Sequence, residues 1–351
     1  LVETVQKAVS EWNTHIAGNP GAFGVITILD NDTYKEHLAG PFKVELPVGS
    51  KLAIVAADWP QVDVPDQPGV KERITGQFIP TELRPHLQGN ISVKGTTNDT
   101  EPNPGDFVLD GLLVEGKFVV LNGNVNSILI ANSTLVPAKG GLSVNGANDQ
   151  LKLAFDYSIT GNISVSSPIT ELKIKNSMVD GLGGDAINAP MSKVSIEKST
   201  ILGETEFNLL EAGNSIFTDR IEVARLQAGC VRFSFVPVGS KTPGRFRCQP
   251  DLALMKKVEE LGLDTIADLS NDQKALIINV LKPAFTSLIF GHHAYGQLSR
   301  SCPVEIKKGA EDGSEMATWN HLKQPQRETN LKVALGEYLN LGLEAGMIFV
   351  T

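Results

Sequence analysis

Short runs of alternating apolar and polar residues recur between about residue 90 and residue 237. Each run ends in a small polar corner, as in Ile130-Ala131-Asn132-Ser133 and Ile174-Lys175-Asn176-Ser177. When the runs are aligned on this corner, the shared position falls at Gly111, Ser133, Ser158, Ser177, Ser199, Ser215 and Ser234. The steps between these positions are 22, 25, 19, 22, 16 and 19 residues, with a mean near 20. Such a period is typical of the coils of a solenoid.

The alternation predicts how these units pack. It places one face of each run inward and one outward, and no unit can bury its inward face without stacking on its neighbours. The pattern therefore predicts a mainly β fold, a parallel β-helix, in which the Asn and Ser corners stack as hydrogen-bonded ladders. The LxxLxLxxN run of a leucine-rich repeat is absent. The dipeptides Asn122-Gly123 and Asn145-Gly146 leave a β-sandwich with hairpin turns as an alternative.

The N-terminal region predicts a cap on this solenoid. Val2, Val5, Val9 and Trp12 recur at helical spacing, and the strand-like runs 24–29 and 42–46 follow. Together with the repeat, this opening resembles the right-handed parallel β-helix of the pectin-lyase-like superfamily over residues 1–237. The resemblance implies an N-terminal capping helix and a first coil.

Helical patterns replace the repeat after Pro237, where we expect the solenoid to end. Ser270 and Gln273 form a helix-start signal, and Pro325 suits the first turn of a final helix. The apolar stripe of that helix, formed by Leu331, Leu335, Tyr338 and Leu339, is expected to bury against the β-helix. The sequence thus predicts a β-helix with its cap over residues 1–237 and an α-rich region, packed on it, over residues 238–351. Segments 309–316, 324–331 and 342–346 resemble the end of an uncharacterised bacterial β-helix family with no assigned activity, loosely associated with tail-like assemblies and surface proteins.

Composition and charge narrow the possible functions. The 351 residues carry a formal net charge of −9, which disfavours nucleic-acid binding because phosphate contacts need an excess of Lys and Arg. No apolar run reaches the length of about 20 residues that a transmembrane helix needs, so no membrane insertion is expected. Three cysteines argue against a disulfide framework. No signal-peptide pattern is visible, and the sequence predicts neither a compartment nor an oligomeric state.

Asp180 and Asp185 are the candidate catalytic residues, because a polysaccharide hydrolase needs two neighbouring carboxyl groups. The run Gly183-Gly184-Asp185 is similar to the Gly-Asp-Asp corner of polygalacturonase-like hydrolases, although Ala186 replaces the second Asp. The pair His292-His293 has no acid or thiol ligand close in sequence, so no metal site is predicted. Phosphate-binding glycine loops and the GxSxG elbow are absent, and no cofactor is expected.

A second candidate site is the charged run Glu311, Asp312 and Glu315 with Arg327. These residues suit a binding site, or they cap helices and pair with Arg245 and Arg247. The leading interpretation is a non-catalytic structural or binding module of a larger bacterial assembly or surface protein, with protein partners or a glycan as ligand. The alternatives are a polysaccharide-active hydrolase or lyase that uses Asp180 and Asp185, and a phage-tail-like fibre or adhesin.

Overall fold

The computed structural model describes residues 2–57, 61–64, 69, 71–73, 83–96, 102–339, 343 and 346. The fold is mainly β, with a large, mostly parallel sheet, one N-terminal helix and several C-terminal helices. The sheet is compatible with the predicted β-helix. The chain divides into two compact units, the first formed by Leu1–Lys173 and Met191–Lys193, the second by Ile174–Pro190 and Val194–Thr351. The sequence places a division at residue 237 instead, and that domain assignment stays a prediction.

Helix α1 (Val5–Gly18) confirms the predicted N-terminal helix of the first unit and ends later than Trp12. The Thr4 side chain accepts a hydrogen bond from the Lys7 N–H, so the helix begins at a standard cap. Its buried residues are Val5, Val9, Trp12 and Ile16. The Trp12 indole Nε1 donates to the Glu45 carbonyl at 3.0 Å, which fixes the helix against an early strand.

The strands of the first unit are short. They are β1 (Phe23–Ile28), β2 (Thr33–Tyr34), β3 (Val44–Leu46), β4 (Lys51–Ala56), β5 (Gln61–Asp63), β6 (Lys71–Arg73), β7 (His86–Leu87), β8 (Ile91–Gly95), β9 (Gly105–Asp110), β10 (Leu113–Val114), β11 (Phe118–Val120), β12 (Val125–Ala131), β13 (Thr134–Leu135), β14 (Leu142–Val144), β15 (Lys152–Asp156), β16 (Ile159–Thr160) and β17 (Ile163–Val165). Two 3₁₀ turns span Gly40–Phe42 and Pro137–Lys139. The proline-rich stretch 58–85 holds the antiparallel pair β5–β6, and much of it lies outside the described residues.

Parallel pairing in the first unit forms three ladders. One runs through β1, β4, β9, β12 and β15, the second through β3, β8, β11, β14 and β17, and the third through β2, β7, β10, β13 and β16. Along the first ladder, Leu52, Phe107, Ile128 and Leu153 lie in register, and all four are buried. The apolar positions of the repeat therefore form the core, as the alternation predicts.

The second unit continues with longer strands. After β18 (Glu171–Lys175), which begins in the first unit, come β19 (Met178–Glu197), β20 (Thr200–Gly213), β21 (Ile216–Phe217), β22 (Ile221–Val223), β23 (Gly229–Arg232) and β24 (Arg245–Phe246). Strand β20 pairs in parallel with β21, β22 and β23 in turn, and β23 pairs with β24. A further bridge joins Phe235 to Gln249. The prediction that the repeat ends at Pro237 is wrong, because the turn-rich residues 237–244 lead into β24, which pairs in parallel with β23.

The polar corners form the predicted ladders. A residue with positive φ, such as Asn132, Asn176 or Asn214, precedes each corner serine. The hydroxyl of Ser199 donates to the carbonyl two residues earlier at 2.8 Å and accepts the Ser177 N–H at 3.3 Å. The same pattern links Ser133 to Ser158, Ser199 to Ser215 and Ser215 to Ser234. Gly111 is itself the positive-φ residue, so Leu112, and not Gly111, occupies the serine position.

Helices occupy the C-terminal part of the second unit. They are α2 (Asp251–Leu261), α3 (Asn271–Val280), α4 (Val304–Lys307) and α5 (Gln324–Tyr338), with 3₁₀ turns at Ile266–Asp268 and Thr318–Leu322. Ser270 and Gln273 cap α3 reciprocally, as predicted. Within its described residues α5 buries no side chain, and Leu331 and Tyr338 are 49% and 87% exposed, so the expected burial of its stripe is wrong. None of the helices in the described chain is long and apolar enough to cross a membrane.

Candidate functional site

Asp180, one of the two predicted catalytic residues, is buried and fully engaged in hydrogen bonds. One carboxylate oxygen accepts the Tyr295 hydroxyl at 2.5 Å, and the other accepts the Leu182 N–H at 2.8 Å. Burial, together with the hydrogen bond to Asp180, raises the pKa of Tyr295 far above its usual value, so this hydroxyl keeps its proton. The hydrogen bond from Tyr295 joins the start of β19 to the segment before α4, which is a structural arrangement.

Asp185 lies apart from these contacts, at an exposed position of β19. It lines a small cleft of about 110 Å³ with Glu204, Glu206, Glu222 and Arg220. Arg220 and Lys241 both pair with Glu222. Across the described residues, no group of three or more His, Cys, Asp or Glu side chains is arranged to hold a metal ion. The catalytic assignment of Asp180 and Asp185 stays a prediction.

The charged run 311–315 lies beside a larger cleft, and its members have different roles. The Glu311 side chain is exposed, while its N–H donates to the Asn214 side chain at 2.7 Å. Asp312 accepts hydrogen bonds from Lys323 and Ser314, which lower the pKa of its carboxyl below the usual range despite partial burial. Arg327 is exposed on α5 and does not line the cleft. Of the four predicted binding residues, only Glu315 lines it.

This cleft, called the Glu315 cleft, has a volume of about 480 Å³. It lies between the segment before α4, the 3₁₀ turn at Thr318–Leu322 and the first half of α5. Its walls are formed by Thr286, Gln297, Leu298, Ser299, Arg300, Val304, Lys307, Lys308, Glu315, Trp319, Leu322, Gln324, Pro325, Glu328, Thr329 and Lys332. Such a volume suits a ligand of small-molecule or oligomer-end size.

Glu315 is the most unusual group of the cleft, because its side chain is only 9% exposed. Burial, followed by the charge of Glu328, raises the pKa of the Glu315 carboxyl to about 7. Below that pH the group is a neutral acid that can donate a hydrogen bond into the cleft. The indole Nε1 of Trp319 is also buried and has no hydrogen-bond partner within the described residues. The Glu315 acid is therefore a donor that the protein itself does not use, whereas the indole N–H is closed to solvent.

The loop that carries Glu315 and Trp319 is fixed to the corners of the strands. The Thr318 hydroxyl donates to the Ser177 carbonyl at 2.8 Å and accepts the Thr200 N–H at 3.0 Å. The Ala317 N–H donates to the Asn214 carbonyl at 2.8 Å. Met316, between the two cleft residues, is completely buried in an apolar cluster. The side chains on both sides of it are thus held in place before any ligand binds, which lowers the cost of binding.

The charges that line the cleft are mostly positive. Four basic residues, Arg300, Lys307, Lys308 and Lys332, face two acidic ones, Glu315 and Glu328. Arg300 lies 3.7 Å from the Glu328 carboxylate, and both groups remain partly exposed. When Glu315 is neutral, the excess of positive charge grows by one, so the cleft favours an anionic ligand.

Sequence reasoning identified Glu315 from its charged neighbours but missed Trp319, Arg300 and Lys332. Trp319 had a weak signal, a lone aromatic residue among polar ones just after the acidic run. A scan against protein-family models finds no match for the chain, and searches of curated proteins and of solved structures find none either. The function is therefore argued from the geometry of the Glu315 cleft.

Proposed function

We propose that the chain is a binding module of a larger assembly or surface protein, built on a right-handed parallel β-helix of the pectin-lyase-like kind, and that its Glu315 cleft binds an acidic glycan. The cleft carries the proposal because it combines an aromatic ring, a buried carboxyl that can donate a hydrogen bond and an excess of positive charge.

The β-helix part of the proposal is supported by the order of the strands. In the first unit the chain visits the three ladders in a fixed cycle, as β7, β8 and β9 are followed by β10, β11 and β12 in the same order. Each set of three strands pairs with the next set, and one polar corner recurs per set. Coils that stack in this way are the repeating unit of a parallel β-helix. An experimental structure of the chain tests both the closure of the coils and their handedness.

The ligand class follows from the residue types in the cleft. A pyranose ring presents an apolar face that can cover the Trp319 ring, and it presents hydroxyls that can accept from the neutral Glu315 acid. A carboxylate on the sugar can pair with Arg300 or Lys332, and charge-assisted hydrogen bonds of this kind are stronger than neutral ones. A neutral sugar lacks that last contact and should bind more weakly.

Calorimetric titration with a galacturonic-acid tetramer and with a neutral glucose tetramer tests the proposal. We expect the acidic tetramer to bind about tenfold more tightly, which corresponds to one ion pair of about 1.4 kcal/mol. Trp319→Ala should weaken both ligands, and Lys332→Gln should weaken only the acidic one. Lys256→Gln, an exposed Lys on α2 outside the cleft, is the matched control and should bind as the wild type does. Equal losses in Lys332→Gln and Lys256→Gln, or no binding by the wild type, would contradict the proposal.

A further inference from the structure

A second cavity in the same unit has a different chemistry from that of the Glu315 cleft. It measures about 360 Å³ and is lined by Thr218, Phe235, Pro237, Val238, Pro250, Ile278, Lys282 and Pro283. We call it the proline groove. Its walls come from the segments that follow β21 and β23, from the residue before α2, and from the end of α3. None of its residues lines the Glu315 cleft.

The walls of the proline groove are apolar apart from two residues. Three prolines, Phe235, Val238 and Ile278 make up most of the lining. The Thr218 hydroxyl is already used, since it accepts the Gly203 N–H at 3.1 Å and donates to Asp219 at 2.7 Å. It therefore offers little to a ligand beyond its methyl group. The remaining polar group is the ammonium of Lys282.

Lys282 provides the charge that defines the ligand. Its side chain is exposed at the end of α3, and within the described residues no carboxylate pairs with it. A cation beside an apolar cavity matches a molecule that has a hydrocarbon part and a single negative charge. A neutral apolar molecule would leave this charge unused, and an amine would be repelled by it.

The groove is held open by groups that cannot rearrange easily. Phe235 is only 6% exposed and belongs to an apolar cluster with Ile216, Cys302 and Ile306. The rings of Pro237, Pro250 and Pro283 fix their own backbone φ angles. A cavity formed in this way needs little reorganisation when a ligand enters.

We propose that the proline groove binds a hydrophobic monocarboxylate, with its hydrocarbon chain against Phe235 and Ile278 and its carboxylate on Lys282. The proposal does not depend on glycan binding, because the two cavities share no residue. A medium-chain fatty carboxylate is of suitable size for a cavity of this volume.

Calorimetric titration of the full chain with decanoate, below the concentration at which it forms micelles, tests the proposal. Hexanoate, decanol and decylammonium are the comparison ligands. We expect decanoate to bind more tightly than hexanoate, by up to roughly fourfold for each methylene that is buried. We also expect decanoate to bind more tightly than either decanol or decylammonium. Decylammonium that binds as well as decanoate, or a wild type that binds none of the four, would overturn the proposal.

Two substitutions separate the two parts of the site. Lys282→Gln should weaken decanoate about tenfold and leave decanol unchanged, since it removes only the charge. Ile278→Asp should weaken all of the ligands, and its melting temperature shows whether the chain is still folded. Lys256→Gln is the matched control and should bind decanoate as the wild type does. An unchanged decanoate affinity in Lys282→Gln would show that the charge has no role and would refute the assignment.

Discussion

At the residue scale, the buried carboxyl of Glu315 couples the Glu315 cleft to pH. Its pKa of about 7 arises mainly because burial disfavours the charged form, and the nearby charge of Glu328 adds to this. In the unfolded chain an ordinary glutamate loses its proton near pH 4.5. Between those two values the folded protein holds a proton that the unfolded chain has released.

The unfolding free energy should therefore fall as pH rises from about 4.5 to above 7. The loss is about 3 kcal/mol, because the pKa of Glu315 lies about 2.5 above that of an unfolded glutamate and each pH unit between them is worth about 1.36 kcal/mol. Glu315→Gln keeps the shape of the side chain without the titration, so it should remove this part of the pH dependence. Urea unfolding at pH 5 and pH 8 measures the difference in unfolding free energy between the two pH values, with the exposed Glu311→Gln as the control. A wild type and a Glu315→Gln variant with the same difference between the two pH values would show that Glu315 does not titrate in this range.

Asp180 gives a second prediction at this scale, because it separates a structural role from a catalytic one. Tyr295→Phe removes the donor to a buried carboxylate and should lower the unfolding free energy by about 1–3 kcal/mol. Asp180→Asn should destabilise the fold in the same direction. A screen of acidic and neutral glycans for new reducing ends or unsaturated products gives the other readout. Cleavage by the wild type that disappears in Asp180→Asn and Asp185→Asn, with unchanged stability, would instead support the alternative of a polysaccharide-active enzyme.

At the element scale, the ladder of corner serines shows which part of a repeat can be predicted from the sequence. The corner serines, and the asparagines before three of them, could be predicted, because Asn tolerates positive φ well and a serine hydroxyl can bond the nearby backbone. The last corner, which follows β24, could not be predicted from this pattern, because Arg247 and Cys248 stand where other corners have Asn and Ser. The Cys248 thiol donates to the Val231 carbonyl at 3.3 Å, and the Ser158 hydroxyl makes the equivalent bond to Ile130 at 3.1 Å.

Cys248 and Cys302 offer a matched test of this ladder. Both thiols are buried and free, and burial raises the pKa of each. Cys248→Ser places a hydroxyl where the ladder holds hydroxyls elsewhere, so it should change the unfolding free energy by less than about 1 kcal/mol. Cys302→Ser places a hydroxyl in the cluster of Phe235, Ile306 and Met316 and should cost about 1–3 kcal/mol. Urea unfolding of the two variants compares them, and equal losses would contradict the ladder position of Cys248.

At the scale of the whole molecule, the sequence predicts what depends on local periodicity and misses what depends on long-range contact. The parallel sheet, α1 and the cap of α3 follow from patterns within about twenty residues. The position of Glu315 depends on Thr318, which bonds Ser177 and Thr200 more than a hundred residues earlier. The stripe on α5 has helical spacing, yet spacing alone cannot show whether a neighbouring surface covers it.

Mass measurement in solution addresses the predicted fibre or adhesin. A β-helix can assemble through its side faces or its ends, and a stable trimer is the form that a tail-like fibre requires. Light scattering on the full chain should give the mass of a trimer if that alternative is correct. The mass of a monomer, close to 37.7 kDa, would favour the binding module.

Two truncations test how the C-terminal region supports the strands. Removing all residues from Gly309 onward takes away Thr318 and Ala317, and with them one acceptor of the Thr200 N–H and the donor to the Asn214 carbonyl. It also removes Met316 and opens the apolar cluster around Phe235 to water. We expect an insoluble or polydisperse protein, because bare strand ends and apolar surface promote aggregation.

Removing only the residues after Lys323 takes away α5, which buries no side chain within its described residues, so the protein should stay soluble with a similar melting temperature. It should also lose acidic-glycan binding, since Glu328, Thr329 and Lys332 form one wall of the Glu315 cleft. A shorter truncation that is monodisperse and as stable as the full chain, paired with a longer one that aggregates, locates the support in residues 309–323. If the truncation at Gly309 is itself monodisperse with an unchanged melting temperature, the region is a separate module and does not stabilise the strands.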